Sequence, residues 1–393
     1  MPHIILVAAD HGVAEENVSA FEQSVTTTMV KNYVIYKGAA LNAFASFLNA
    51  PVTVADVGMK NSFSHIDLLD FSVAKGTRNI TKGAAMTVEE AVKAIEAGRK
   101  LAKSAIDKGA KYILPAEMGI GNTTSAAAMA SVMLDMPPEK TTGRGTNIDD
   151  DKLTHKVNIV RRAIAVNTVN PSDGIDVLSK LGGFEFAAIA GMILEAYKRN
   201  VKVVLDGLNT TVAAFIAVKT DERAKNALIP SHLAGEAAHL PLLKALGLTP
   251  AMDLDFHLGE ACGSSVLVKW MGTDNNPIQE DTAVFKAFTA EKIPPETMEI
   301  AREKMRERFL ELSMPHNALG ALQDIAVKLA GAFGRTDIPK NIYLSEDFLA
   351  ELGIVTKNYL IGEAKLPGLS KILSRAALYV ASEMKSFDEA KIL

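Results

Sequence analysis

The sequence predicts an α/β fold, with a doubly wound, mainly parallel Rossmann-like sheet and a smaller helical domain. Short runs rich in apolar and β-branched residues alternate with longer helical patterns along the first two thirds of the chain. Such alternation is typical of parallel sheets, because each crossover between parallel strands needs a long connection. From about residue 273, charged helical stretches follow without strong strands. We therefore expect a Rossmann-like catalytic domain at 1–272 and a small helical domain at 273–393.

Five apolar runs are predicted as buried strands, at residues 3–8, 52–57, 111–114, 201–205 and 251–256. The stretch TVEEAVKAIEAGRKLAKSAIDKG lies between the second and third runs and repeats apolar residues at helical spacing. Thr87 and Glu90 form a capping box at its start, and Gly109 ends it. Further along, TDNNPIQ breaks the pattern, and PPETMEIAREKMRERFLEL predicts a charged helix.

The composition excludes several functional classes. The net charge of the 393 residues is −4 and there is no basic stripe, so the chain lacks the electrostatic pattern of a protein that binds nucleic acid or an anionic membrane. The single cysteine, Cys262, cannot form an internal disulfide and is typical of a reducing compartment. The first apolar run is too short for a signal peptide or a membrane span. We expect a cytoplasmic protein.

A glycine-containing turn follows the third predicted strand, in the stretch PAEMGIGNTTSAAAMA. Gly119 and Gly121 between a strand and a helix allow backbone amides to approach an anion at the positive helix terminus. Thr124 stands where a dinucleotide fingerprint needs a third glycine, and no lysine of a Walker motif follows. The turn therefore suits one phosphate better than several. The alternative is an ordinary turn, with Asn122 or a threonine capping the helix.

Two further loops carry candidate charged groups. In TTGRGTNIDDDKLTHK, a glycine loop precedes a helix on which Lys156 can bring a cation to a phosphate, although a lone helix lysine is more often exposed. In HLGEACG, Glu260 follows a strand and has small, apolar neighbours. If it is held dry and unpaired, its pKa rises toward the range useful for a general base. The alternative is a water-exposed glutamate in the first turn of a helix.

Three weaker candidates remain open. SHLAGEAAH is predicted to be helical and to place His232, Glu236 and His239 on one face, but the spacing is not that of a zinc motif and histidines with ordinary helix-face partners are favoured. The stretch ADHGV after the first strand is either catalytic or a turn. Phe21, Met29 and Met118 are predicted in the core, with a place in an aromatic pocket as the alternative.

Eight blocks between about residues 5 and 265 resemble the nicotinate-nucleotide:dimethylbenzimidazole phosphoribosyltransferase family of cobamide assembly. In order, the blocks read AADHGVAEENVSAFEQSVT, KGTRNITKGAAMT, EMGIGNTTSAAA, GRGTNIDDDKLTHK, LGGFEFAAIAG, LDGLNTTVAA, SHLAGEAAH and HLGEACG. The resemblance implies transfer of 5-phosphoribose from nicotinate mononucleotide to a benzimidazole nitrogen, with inversion at the anomeric carbon. The products would be an α-ribazole phosphate and nicotinate. It also implies a homodimer that needs no metal or other cofactor.

The resemblance assigns roles to single residues. Glu260 matches the family's catalytic base, which removes the N–H proton of the accepting ring. The residues that match the nucleotide and phosphate segments are Glu117, Met118, Gly119, Ile120, Gly121, Asn122, Thr123, Gly145, Lys156, Asp206 and Gly207. The residues that match the base pocket are Ser19, Phe21, Gln23 and Met29.

The chain also departs from the family pattern. Family members carry about sixty residues, including KPxGSLGxLExLAxxLA, before the ADHGV strand, whereas a similar stretch, SMPHNALGALQDIAVKLAG, occurs here at 313–331 after a matching helix. The segment at about 295–331 is therefore interpreted as the family's N-terminal helices, relocated by a permutation. Ala261 and Cys262 replace a glycine and a threonine, and Phe21 replaces a tyrosine.

These substitutions leave the accepted base open, between dimethylbenzimidazole, other benzimidazoles, a purine and a phenol. They also leave open a second class of function, in which the chain is a nucleotide- or base-binding module, or a partner subunit, without turnover. A dehydrogenase is disfavoured because the third glycine of the dinucleotide fingerprint is missing.

Overall fold

The computed structural model describes residues 1–272 and 293–386, apart from 341, 343, 363 and 365. A six-stranded sheet forms the centre of the fold, in the order β3-β2-β1-β4-β5-β6, and every neighbouring pair is parallel. Its strands are β1 (Pro2–Ala9), β2 (Val52–Gly58), β3 (Leu68–Asp70), β4 (Tyr112–Met118), β5 (Lys202–Leu205) and β6 (Leu228–Pro230). The predicted α/β class and parallel sheet are confirmed.

A second, two-stranded sheet pairs β7 (His232–Ala234) with β8 (Met252–Phe256) in parallel. The run predicted as a strand at 251–256 is thus a strand, but it pairs outside the main sheet. The helical prediction for SHLAGEAAH is wrong, because His232 lies in β7 and His239 begins a separate helix. In a stretch this short, residues spaced three or four apart fit a helix and also fit a short strand followed by a turn, so the spacing cannot distinguish the two.

Helices cover both faces of the main sheet. Along the first two thirds of the chain they are α1 (Val25–Lys31), α2 (Ala40–Leu48), α3 (Val88–Asp107), α4 (Asn122–Leu134), α5 (Pro138–Thr141), α6 (Asp150–Val166), α7 (Gly174–Leu181), α8 (Phe184–Lys198), α9 (Leu208–Thr220), α10 (His239–Ala245) and α11 (Cys262–Met271). Three 3-10 turns span Gly12–Glu16, Glu222–Ala227 and Thr356–Tyr359, and a π-helical turn spans Asn32–Tyr36.

The alternation of side chains along β1 explains the two layers. Ile4 and Leu6 pack into one apolar cluster, while Ile5 and Val7 pack into a second cluster on the opposite face. A strand that is apolar at every position is typical of a parallel sheet covered on both sides.

The prediction for the helix at 87–109 is also confirmed. The Thr87 side chain accepts the Glu90 N–H, and the Glu90 carboxyl accepts the Thr87 N–H. The helix ends at Asp107, two residues before the glycine that was expected to end it.

The described part of the late segment is mainly helical, as predicted, with α12 (Pro295–Glu311), α13 (Gly320–Phe333), α14 (Glu346–Glu351) and α15 (Leu369–Glu383). The stretch TDNNPIQ lies outside the described residues. These helices share one apolar cluster with α2, α11 and one face of the main sheet. In the described part of the chain, no helix has the length and apolar character needed to cross a membrane.

The segment 313–320 is anchored to Asn32 and to residues 255–257 at the end of β8. Asn32 donates a hydrogen bond to Ser313 Oγ at 2.9 Å, and the His257 N–H bonds to the Ala318 carbonyl at 2.9 Å. Gly320 has a φ of +32°, and a Cβ there would lie 2.4 Å from the Asp255 carbonyl oxygen. The segment that resembles the family's N-terminus therefore packs beside the early segments rather than away from them.

Candidate active site

A cleft opens at the carboxyl ends of the strands, where ligands bind in open parallel sheets. Its empty volume is about 1150 Å³. The lining comes from the loops after β1, β4, β5 and β8, from one side of α1, from residues 145–146 and 234–236, and from residues 313–315 ahead of α13. These segments are far apart in sequence, so the fold of the whole chain is needed to build the cleft.

The glycine turn forms one wall of the cleft. β4 ends at Met118 and α4 begins at Asn122, and Gly121 between them has a φ of +97°. A Cβ at Gly119 would lie 2.3 Å from the Ala9 carbonyl oxygen, so only glycine allows this approach. α4 has no side-chain cap, and the capping interpretation is wrong. The amides of Asn122, Thr124 and Ser125 donate to the Gly119 and Gly121 carbonyls. The turn therefore offers an anion the Thr123 N–H and the positive end of the helix.

Lys156 lies behind this turn, on α6. It is only 1% exposed, and its ammonium donates hydrogen bonds to Thr123 Oγ1 at 2.8 Å and to the Gly143 carbonyl at 3.1 Å. Burial lowers the pKa of Lys156 to about 8, and the nearby Glu236 carboxylate opposes this effect. The interpretation of Lys156 as an exposed helix lysine is wrong. Its charge acts on the cleft through Thr123, because Lys156 does not itself line the cleft.

Gly145 connects the second glycine loop to the same wall. Its N–H donates to Glu236 Oε1 at 2.9 Å, and a Cβ at this position would lie 2.7 Å from Thr123 Oγ1. Glu236 lines the cleft as well. Glu236 therefore belongs to the wall around Lys156 and does not share a helix face with His232 and His239.

Glu260 follows β8 and lies in the cleft, 3% exposed. The Tyr33 hydroxyl donates to Oε1 at 3.0 Å, and the Leu41 N–H donates to Oε2 at 2.9 Å. Burial raises the pKa of Glu260 to about 7. These two hydrogen bonds partly oppose that rise, whereas the Asp206 charge adds to it. The carboxyl is dry, as expected, but it is not unpaired, and this part of the expectation is wrong.

The exposed-glutamate alternative is also wrong, because α11 begins only at Cys262 and Glu260 is buried before it. Ala261 links the two with a φ of +61°, in the left-handed region that favours glycine. Cys262 is buried. The strained residue directly after Glu260 fixes the direction in which the strand turns into the helix.

A second buried carboxyl, that of Glu117, lines the cleft at the end of β4. It accepts Asn209 Nδ2 at 2.9 Å and also accepts the side-chain amide of Asn122. Burial raises the pKa of Glu117 to about 8, and the charges of Glu185, Asp206 and Glu260 contribute to this rise. A Cβ at Gly259 would lie 1.9 Å from Glu117 Oε1, so glycine is needed for the two loops to meet.

Asp206 and Gly207 follow β5 but have different positions. Gly207 lines the cleft, whereas Asp206 lies under the start of α11, where its carboxylate accepts the Ser264 N–H at 3.0 Å. Burial raises the pKa of Asp206 to about 6, and the α11 amides oppose this rise. Asp206 thus supports the loop that carries Glu260 and does not face the cleft.

The predicted base pocket is brought together only in part. Ser19, Phe21 and Met29 line the cleft, with Val18 and Val25. Met29 also belongs to the apolar core, so both interpretations hold for it. Gln23 does not reach the lining. Its side chain donates to the His11 carbonyl at 2.9 Å and accepts from Lys60.

The histidine candidates are buried and have protein partners. His232 contacts Ser231 Oγ at 2.9 Å, and His239 contacts Thr211 Oγ1 at 3.0 Å. Burial lowers the pKa of both rings to about 3, so both are neutral. His11 is buried between Ser125 and Glu185. Over residues 1–272 and the described part of 293–386, no group of three or more histidine, cysteine or acidic residues is arranged to hold a metal ion.

Several lining or supporting residues were not predicted. Asn209 binds Glu117, Tyr33 and Leu41 bind Glu260, and Thr146 contacts Ser19 Oγ at 3.2 Å. Ser313, Met314 and Pro315 close the cleft from the late segment. Asn209 and residues 313–315 stand in stretches that resemble the family, LDGLNTT and SMPHNALG. No signal in the sequence distinguishes Tyr33 or Leu41.

Comparisons with known proteins show the family of the chain. A family model described as "Phosphoribosyltransferase" matches residues 1–276. The nicotinate-nucleotide–dimethylbenzimidazole phosphoribosyltransferase of Desulforudis audaxviator is 41% identical over 262 residues, which are 66% of this chain and 74% of that protein. The protein of the same name from Thermus thermophilus is 43% identical over 263 residues, 66% of this chain and 78% of that one.

A solved structure is similar as well. The crystal structure of CobT from Thermus thermophilus superposes with a TM-score of 0.65 at 42% sequence identity, over 67% of this chain and 79% of that one. The family match covers the sheet and every cleft loop except residues 313–315. The chain belongs to the phosphoribosyltransferase family that this model describes.

Proposed function

We propose that the protein transfers 5-phosphoribose from nicotinate mononucleotide to a nitrogen of a benzimidazole-type base, giving an α-ribazole phosphate and nicotinate for cobamide assembly. The observation that carries this proposal is the position of Glu260. A dry carboxyl with a pKa of about 7 shares one cleft with a glycine turn at a helix N-terminus. The family model matches the chain over both features, and relatives named for this reaction are 41% and 43% identical to it.

The phosphate of the donor binds at the glycine turn. The positive end of α4, the Thr123 N–H and the charge of Lys156 behind Thr123 form a site for one phosphate. The companion residues are Glu117, Met118, Gly119, Ile120, Gly121, Asn122, Gly145 and Gly207, which line the cleft, and Asp206, which supports the α11 loop from below.

Glu260 acts on the accepting ring. Its carboxylate takes the N–H proton of the imidazole portion, and the lone pair of the other ring nitrogen attacks the anomeric carbon. The bond from that carbon to the nicotinate nitrogen breaks, and its electron pair leaves with nicotinate as the neutral ring. Attack on the face opposite the leaving group inverts the configuration. With a pKa near 7, Glu260 is ionised in about half of the molecules at neutral pH, which suits a general base.

Glu117 stabilises the positive charge of the donor. The nicotinate ring is cationic while it is bonded to ribose, and a cation near a buried carboxyl favours its ionised form. Asn122 and Asn209 hold the carboxyl oxygens through their amide groups. The negative charge is thereby directed at the centre where positive charge develops during transfer.

The base binds against the segment with Ser19, Phe21 and Met29, closed on the other side by residues 313–315. Phe21 has no hydroxyl, so the pocket favours a less polar flat ring at this position. 5,6-Dimethylbenzimidazole has only methyl substituents and is the expected base. Other benzimidazoles, a purine and a phenol are its competitors.

The experiment follows nicotinate release from nicotinate mononucleotide with a panel of bases. Release that depends on the base, with an α-linked product found by NMR, supports the transferase. Release without a base indicates hydrolysis. Tight binding of both ligands without release would overturn the proposal in favour of a binding module.

Three further features belong to the same proposal. We expect a cytoplasmic homodimer, and size-exclusion chromatography with light scattering tests the oligomeric state. The residues 1–272 are proposed as the catalytic domain, and 273–393 as the small helical domain. The segment 295–331 is proposed to be the relocated N-terminal segment of the family, since SMPHNALG resembles that segment and supplies Ser313, Met314 and Pro315 to the cleft.

A further inference from the structure

Tyr33 contacts the carboxyl of Glu260 and lies between two of the blocks that carry the resemblance, the one that ends at Thr26 and the one that begins at Lys75. It is 2% exposed and belongs to the π-helical turn Asn32–Tyr36 that follows α1. Its hydroxyl donates to Glu260 Oε1 at 3.0 Å, while the Leu41 N–H holds Oε2 at 2.9 Å. The two donors fix both oxygens of the carboxyl.

The turn that carries Tyr33 is held in place on both sides. Asn42 donates to the Tyr33 carbonyl at 3.1 Å. Asn32 accepts the Gly38 N–H at 3.2 Å and donates to Ser313 Oγ at 2.9 Å. π-Helical turns occur frequently at functional sites, because the extra residue redirects a side chain. The hydroxyl of Tyr33 therefore has a fixed position beneath the cleft.

We propose that Tyr33 is a positioning residue for the transfer reaction, which holds the Glu260 carboxylate in one orientation and stabilises its ionised form. This inference rests on the proposed function of Glu260 as the proton acceptor. Tyr33 does not line the cleft and acts on the base and the ribose only through Glu260. A hydrogen bond from a hydroxyl to a buried carboxyl strengthens as the negative charge forms, so it favours the ionised carboxylate over the protonated acid.

The surrounding charges support this role. Burial, with the Glu260 charge, raises the pKa of Tyr33 well above its usual value, so the hydroxyl remains a donor across the working pH range. The other ionisable groups that act on this pair are Glu117, Asp206 and Cys262. Burial raises the pKa of Cys262 well above its usual value, so the thiol is neutral. Asp206 and Glu117 are acidic and oppose ionisation of Glu260, which leaves Tyr33 and the Leu41 N–H as its stabilising partners.

The first test is the pH dependence of turnover in Tyr33→Phe. Loss of the hydroxyl removes one of two hydrogen bonds that lower the pKa of Glu260. The acid limb of the kcat profile should shift to higher pH by about one unit, with KM for nicotinate mononucleotide unchanged. Turnover should recover at high pH, which a purely structural defect would not produce. Tyr36→Phe, in the same turn, is the matched control and should keep the wild-type profile.

The second test does not require turnover. Carboxyl-13C NMR of glutamate-labelled protein, with Glu260→Gln to assign the resonance, measures the titration of Glu260 directly. A higher midpoint in Tyr33→Phe than in the wild type supports the inference. An equal midpoint overturns it, even if the wild type transfers ribose. If the wild type shows no base-dependent release of nicotinate, the proposed function is wrong. The titration midpoint of Glu260 in the NMR experiment still decides whether Tyr33 acts on Glu260.

Discussion

The ammonium of Lys156 donates a hydrogen bond to Thr123 Oγ1 at 2.8 Å, in the first turn of the helix that begins at the glycine loop. This contact joins a buried cation on α6 to the N-terminal end of α4, although 33 positions separate the two residues in sequence. We propose that this ammonium and this helix terminus together bind a single phosphate. The amine also ties the loop at Gly143 to the same wall.

Lys156→Met should weaken binding of the phosphorylated donor. The ammonium acts on the phosphate as a charge behind Thr123, and two unit charges roughly 7 Å apart interact by about 2 kcal/mol at an effective dielectric constant of about 20. KM for nicotinate mononucleotide should therefore rise by about 10- to 100-fold, with a smaller effect on kcat. Lys152→Met, on the exposed start of the same helix, is the control. A kcat loss with unchanged KM would contradict the assignment of Lys156 to phosphate binding.

The pH profile of kcat/KM should be bell-shaped. The pKa of about 7 for Glu260 sets the acid limb, since its carboxylate is the active form. The pKa of about 8 for Lys156 sets the alkaline limb, since the ammonium is needed for phosphate binding. Initial rates at low substrate, measured on both sides of neutral pH, define both limbs. Lys156→Met should lose the alkaline limb of the profile and keep the acid limb. Loss of the acid limb instead would contradict the assignment of the alkaline limb to Lys156 and of the acid limb to Glu260.

Gly119→Ala should disrupt the anion-binding turn. The added methyl would lie 2.3 Å from the Ala9 carbonyl oxygen, which is backbone and cannot rotate away. The free energy of unfolding should fall by about 1–3 kcal/mol, and donor affinity should fall with it. Gly272→Ala meets only contacts of 3.5 Å or more and is the control for denaturant unfolding. Equal stability of both variants would show that the turn tolerates a side chain.

The stability of the ligand-free protein should decrease as the pH rises from about 6.5 to about 8. Burial raises the pKa of Glu117 to about 8 and that of Glu260 to about 7. A carboxyl whose folded pKa is raised stabilises the protein at low pH, and this contribution is lost as pH rises through the folded value. The buried histidines act below this range, because their unfolded pKa is about 6.5.

Thermal unfolding at three pH values in that range provides the measurement. Glu260→Gln, which cannot ionise, should show a smaller decrease than the wild type. A melting temperature of the wild type that rises with pH across this range would contradict the prediction. It would mean that Glu117 and Glu260 are already ionised in the folded protein at the lowest pH of the range.

The elements with local sequence signals could be predicted. The β1 run is apolar at every position from Ile4 to Ala9. Thr87 and Glu90 show the capping box of α3, and Gly119 and Gly121 show the turn after β4. SHLAGEAAH misleads because its spacing fits a helix as well as a short strand and a turn. The three-residue strands β3, β6 and β7 are too short for any periodic pattern.

The partners of the site residues could not be predicted, because they depend on contacts distant in sequence. Tyr33 and Leu41 reach Glu260 across 227 and 219 positions. Lys156 lies on the same buried face of α6 as Ile159, Val160 and Ala163. Helical spacing does not show that the loop at 143–145, which Glu236 holds, covers its ammonium. Gln23, placed in the base pocket by resemblance, instead bonds to the His11 carbonyl.

The most direct test of Glu260 as the proton acceptor is the effect of Glu260→Gln on base-dependent nicotinate release. Glutamine retains the volume and an accepting oxygen but cannot take the proton of the base. Turnover should fall by about 10²- to 10⁴-fold, while calorimetry finds donor and base affinities near those of the wild type. Glu22→Gln, on the loop before α1, should release nicotinate at the wild-type rate. Wild-type turnover in Glu260→Gln, with both ligands bound, would contradict the claim that Glu260 is the proton acceptor.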